Sequence, residues 1–123
     1  MAILSCGVMV AEAMEAAEHL ANEGVQATVV DVHTLKPFDH ECMTELAKKC
    51  GAIVSAEDHS IIGGLGGAIA ESLASNHPSP LERVGVEDEF GMSGQPAELM
   101  KHYGLTVTDI VDAAKRAVSR RTA

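Results

Sequence analysis

Aromatic residues are almost missing from this chain of 123 residues: tryptophan is absent, and Phe38, Phe90 and Tyr103 make up 2% of the sequence. Any core must be filled with Ala, Val, Ile, Leu and Met, and a chain that is 46% hydrophobic holds enough of them for one domain. Basic residues are scarce too. Nine Lys and Arg against 18 Asp and Glu leave a formal charge of −9. A nucleic-acid partner needs a basic patch for its phosphates, so none is expected, and an anionic membrane surface is disfavoured for the same reason. The acidic balance serves solubility. No stretch approaches the roughly 20 apolar residues of a membrane span. The opening Met1-Ala2-Ile3-Leu4-Ser5 is apolar, but it has no basic flank and is too short for a secretory signal. A cytoplasmic protein is expected. The cysteines agree: Cys6, Cys42 and Cys50 are odd in number and form no C-x-x-C, so each is read as a small buried apolar residue. There is no Gly-Lys-Ser/Thr for a P-loop, and Ser60 does not sit in G-x-S-x-G. His19, His40, His77 and His102 are scattered and read as solvent-facing, and no ligand set has metal-site spacing.

What is present is an alternation of short β-branched runs with helical periods. Residues 2–5 read as a strand. Val10, Ala13, Met14, Ala17, Leu20 and Ala21 then fall on one helical face, and Gly24 suits the position just past the helix end. Residues 27–32 are a second strand. Asp39 follows Pro37 as the N-cap of a second helix, whose inner face is Met43, Leu46, Ala47 and Cys50, with Gly51 closing it. Residues 52–56 are a third strand, leading to a glycine-rich loop and a helix that Pro78-Ser79-Pro80 prevents from continuing. Residues 83–86 are a fourth strand and residues 87–94 a polar loop. Pro96 opens a short helix with Leu99, Met100 and Tyr103 inward. Thr106, with Asp109 three residues on, caps the last helix, which turns Ile110, Val111, Ala114, Ala117 and Val118 inward. Strands alternating with helices predict a single α/β domain over residues 1–123: a three-layer α/β/α fold around a mainly parallel four-stranded sheet.

The chemistry-bearing stretch is the end of the third strand and the loop after it. Glu57, Asp58 and His59 arrive together, and Gly63, Gly64, Gly66 and Gly67 follow, interrupted by Leu65. Functional groups in open α/β sheets collect at the carboxyl ends of strands. Carboxylates beside a histidine suit acid/base chemistry, but consecutive residues point in different directions, and hydrogen-bonding of loop backbone explains them equally well. The glycines can cradle an anion at a helix start. They can equally allow a helix or partner chain to pack closely. The run lacks the third glycine of a dinucleotide fingerprint.

Three motifs carry a family resemblance: Leu35-Lys36-Pro37-Phe38-Asp39, Glu57-Asp58-His59-Ser60-Ile61-Ile62-Gly63-Gly64-Leu65-Gly66, and Asp88-Glu89-Phe90-Gly91-Met92-Ser93-Gly94 continuing to Tyr103-Gly104-Leu105-Thr106. In order and spacing, from Ile3 to about Val118, the chain resembles the C-terminal domain of transketolase, above all that of transketolases made from two polypeptides. Deoxyxylulose-phosphate synthase and the β subunits of 2-oxo-acid dehydrogenases share the Pro-x-Asp and Glu-x-x-x-x-x-Gly-Gly patterns and are the alternatives within that resemblance. The resemblance implies strands in the order 2-1-3-4. It also implies an assembly or dimerisation role in a thiamine-diphosphate- and Mg²⁺-dependent ketol transfer between sugar phosphates, with no catalytic, cofactor-binding or metal residues in this chain. The family's Gly-Asp-Gly cofactor motif is absent here. Expected partners are a second copy or the remaining transketolase sections. The candidate interface or ligand crevice is Gly7, Glu57, Asp58, His59, Ile61, Ile62, Gly63, Gly64, Leu65 and Gly66. Ile61, Ile62 and Leu65 are expected to bury apolar surface against another chain, and the strand at 27–32 is expected to offer an open edge. A free-standing small-molecule or anion-binding regulatory module on the same fold is the other functional alternative.

Overall fold

The structure, a computed structural model, describes residues 1–7, 9–32, 39–60, 64–86 and 105–121. Residues 35–38, Ile61, Ile62, Gly63, the loop at 87–94 and the helix expected from Pro96 lie outside the described residues, as do the side chains of Asp58, His59 and Ser60. The described elements run β1 (Ala2–Ser5), α1 (Met9–Asn22), β2 (Thr28–Asp31), α2 (His40–Cys50), β3 (Ile53–Ser60), α3 (Leu65–Asn76), β4 (Leu81–Val86) and α4 (Val107–Ser119). The four strands form one sheet in the order β2-β1-β3-β4, with every pairing parallel. This is the expected order and the expected fold class.

Strand alternation explains the layers. Ile3, Val54, Ala56 and Val84 face one side, where they meet Met9, Ala13, Ala16 and Leu20 of α1 and Ile110, Ala113, Ala114 and Ala117 of α4. Ala2, Leu4 and Ile53 face the other, against Met43, Ala47 and Cys50 of α2 and Leu65, Ile69 and Leu73 of α3. Each fully buried Ile or Leu contributes about 1.5–3 kcal/mol relative to exposure.

The helix ends follow local chemistry. Asp39 Oδ1 accepts from Cys42 N at 2.9 Å at the start of α2, and Gly51 ends it at φ 73°. Gly24, at φ 83°, closes α1, with Val25 N donating to Leu20 O at 2.8 Å and Gly24 N to Ala21 O at 3.0 Å. At α4, Thr106 and Asp109 form the reciprocal box: Asp109 N donates to Thr106 Oγ1 at 3.3 Å and Thr106 N to Asp109 Oδ2 at 2.9 Å.

Several expectations are corrected. The buried face of α1 is Met9, Ala13, Ala16 and Leu20, while Met14 is 56% exposed. In a helix this rich in alanine, methyl groups surround the axis, and apolar spacing alone does not choose a face. Cys50 is buried as expected, but Cys6 is half-buried and Cys42 exposed. The strand expected to end at residue 56 runs to Ser60, so Glu57, Asp58 and His59 belong to β3 rather than to a loop.

Candidate functional site

Parallel register fixes the geometry of the site. Ser5, the last residue of β1, pairs with Asp31 on one side and Ala56 on the other. The chain therefore leaves β1 toward Gly7 at the same end of the sheet as the Glu57-to-Ser60 part of β3, and β1 sends its neighbours β2 and β3 to opposite sides. This is a topological switch point, where open α/β sheets place their crevices. Gly7 sits there at φ 60°, a left-handed conformation that a side chain would strain, and its carbonyl accepts from Val10 N at 3.3 Å as α1 begins. Beyond Ala56 the β3–β4 register shifts before Ser60 meets Val86. Such irregularity is common where a strand's end is put to use.

Glu57 is the one member of the acidic pair and histidine whose side chain is described. It is 1% exposed. A carboxylate taken out of water costs several kcal/mol unless hydrogen bonds replace the solvent. Here they come from the start of α3: Leu65 N donates to Glu57 Oε2, and Gly66 N to Glu57 Oε1 at 3.4 Å. The helix needs that acceptor. Its N-cap is Gly64, which has no capping side chain, and its first turn carries no acidic residue. Glu57 thus supplies from eight residues upstream what a Ser or Asp supplies locally, a hydrogen-bond acceptor together with a negative charge at the positive end of the helix dipole. Of the two chemistries the trio suggested, backbone hydrogen-bonding is the one Glu57 performs.

The glycines divide by role. A Cβ on Gly66 would lie 2.8 Å from Arg83 Cδ and 2.9 Å from Ser55 Oγ, so glycine there lets α3 settle onto β3 and β4. Gly64 is extended, at φ −96° and ψ −152°, a conformation open to any residue. Leu65, expected at an interface, is wholly buried in its own domain's core together with Ile69 and Leu73. Its place among glycines reads as loop, but α3 begins at Leu65 itself. Farther along the same two helices, His40 Nδ1 and Ser72 Oγ lie 2.9 Å apart, joining α2 to α3. No sequence spacing pointed to that pair. Among the described residues, no three His, Cys, Asp or Glu gather as a metal site, and no helix is long and apolar enough to cross a membrane.

A three-layer domain with this strand order and a glycine-lined helix start at the switch point defines a class, and the comparisons identify it. The chain belongs to the transketolase C-terminal domain family, which matches residues 1–110. Its relatives are narrower in kind. The 6-deoxy-6-sulfo-D-fructose transketolase subunit SqwH of Clostridium sp. (strain MSTE9) is 52% identical over 119 residues, covering 97% of this chain and 37% of the relative. A solved split-gene transketolase, described as an inactive beta4 tetramer, superposes with a TM-score of 0.94 at 47% identity, covering 98% of this chain and 40% of that one. The 1-deoxy-D-xylulose-5-phosphate synthase of Gloeothece citriformis is 38% identical over 111 residues, covering 89% of this chain and 18% of that enzyme. The chain therefore spans well under half the length of the relatives it matches.

Proposed function

We propose that this chain is the C-terminal part of a split, thiamine-diphosphate-dependent transketolase, that it serves assembly, and that it is not catalytic alone. The observation that carries the reading is the superposition on the split-gene transketolase at a TM-score of 0.94, because that relative is described as an inactive tetramer of one kind of chain. Identity favours a transketolase over a deoxyxylulose-phosphate synthase, 52% against 38% over comparable lengths.

The cofactor in this reading belongs to the rest of the enzyme. The helix start that could take a diphosphate does not fit one, since its first two N–H groups already face the Glu57 carboxylate. The same contact weighs against a free-standing anion-binding module. No step of ketol transfer is assigned to a residue of this chain.

Association is proposed to run through two features, with a homodimer as the simplest product. One is β2, which pairs only with β1 and leaves its outer backbone groups without a strand neighbour among the described residues. The other is the strand-end crevice marked by Gly7, Glu57 and Gly64, with Asp58 and His59 in β3 and Ile61, Ile62 and Gly63 next in sequence. The test mixes the chain with both polypeptides of a split transketolase, the one that carries the matching region having had it removed; that trimmed polypeptide is the companion. Thiamine-dependent ketol transfer is expected only in the mixture, and light scattering of the lone chain is expected to show self-association. Turnover by the lone chain, tight stoichiometric binding of thiamine diphosphate to it, or a monomer that persists at high concentration would overturn the corresponding part of the reading.

A further inference from the structure

We infer that Glu57 is a positioning residue: its carboxylate latches β3 to the start of α3, and so holds that helix start in place at the strand-end crevice before any companion chain binds. The inference rests on the assembly reading above and adds to it the residue on which that surface depends. It does not make the helix start a ligand site, because the acceptor there belongs to the chain itself.

Three observations converge. First, Glu57 is buried although its side chain is a carboxyl group, which ordinarily reaches solvent. Second, its two carboxylate oxygens accept from consecutive backbone N–H groups of one helical turn and so fix that turn in position and in orientation. Third, the turn has no other cap: Gly64 offers no side chain, and no acidic residue follows within the first turn. The turn is also packed closely on the sheet, since a Cβ on Gly66 would meet the Arg83 stem and Ser55 Oγ. The turn is thus fixed by the carboxylate and by its close packing on β3 and β4. A helix start fixed in advance spares a binding partner the cost of ordering it. It also gives a physical reason for the Glu-x-x-x-x-x-Gly-Gly spacing, in which the glutamate is the remote cap of the helix that begins after the second glycine.

Glu57→Gln tests the latch with little change in volume. The amide keeps one acceptor but turns a donor toward the other N–H and removes the charge. Amide hydrogen exchange at Leu65 and Gly66 is expected to quicken roughly tenfold or more, the equivalent of one charge-assisted hydrogen bond. The concentration of companion polypeptide giving half-saturation is expected to rise by a similar factor, measured at a temperature where circular dichroism shows both proteins folded. Glu57→Asp, which keeps the charge on a shorter stem, is expected to fall between the two. Thr106→Ala, which loosens a helix start on the other face of the sheet, is expected to leave the half-saturation point within about twofold of wild type. Unchanged exchange at Leu65 and Gly66 in Glu57→Gln would overturn the latch. Faster exchange with unchanged association would overturn its positioning role. A wild-type chain that ignores the companion polypeptide would overturn the assembly reading instead, and the exchange measurement would then decide the latch by itself.

Discussion

The starts of α3 and α4 solve one problem in opposite ways. Each helix must satisfy N–H groups that have no partner within the helix. α4 does so from its own sequence, through Thr106 and Asp109 three residues apart. α3 does so from another element, through Glu57 at the end of β3. The α4 cap is partly buried, whereas the α3 cap is buried with its carboxylate inside the domain. A local cap holds one helix to itself. A remote cap also joins two elements, so its loss is felt in the tertiary structure.

Truncation sharpens that difference. Glu57→Ala is expected to cost about 2–4 kcal/mol, because it leaves two buried donors unsatisfied and a void where the side chain lay. Thr106→Ala is expected to cost about 1 kcal/mol, because water reaches the exposed end of that helix. Urea unfolding of the two variants checks both values, and equal losses would break the comparison. The smallest effect is expected at the far end of α4, where Lys115 Nζ lies 2.8 Å from Glu23 Oε1 on the surface. The hydrogen bond to Glu23 holds the Lys115 ammonium above its usual value of 10.5. A raised value means that any stabilisation is complete at neutral pH and is lost only as the lysine deprotonates above pH 10.5. Screening by water makes it slight. Thermal melts of wild type and Glu23→Gln are therefore expected to coincide at pH 7, and a resolved difference there would show that this surface pair matters more than its exposure implies.

The same contrast explains which features were legible from sequence. Gly24, Gly51, Asp39 and the Thr106–Asp109 pair were readable because a cap acts within a few residues of itself. The strand order agreed with the one the family resemblance implied, and strand–helix alternation with one-face periodicity led to the layers. The end of β3 was misread because Glu57 looked like loop chemistry; its polarity is tolerated in a strand only because α3, folded back over it, supplies two N–H groups. Leu65 was misplaced for the same reason, since the helix start was hidden until its cap was known. The available clue was negative: a helix opening on glycines without a capping side chain had to find an acceptor elsewhere. The α1 face was lost for a different reason, because alanine at positions 11, 13, 16, 17 and 21 gives the period little contrast.

The position of β1 has a consequence for the timing of folding. It lies between β2 and β3, so Ala2 must find both Thr28 and Ile53, and Ser5 both Asp31 and Ala56. Neither neighbour is local, and sheets built on such distant pairings form slowly. During synthesis, β1 leaves the ribosome before either partner, and its two ladders wait for Thr28–Asp31 of β2 and for residues 53–56 of β3. A pause in translation before β3 would therefore lengthen the time for which β1 has an open edge.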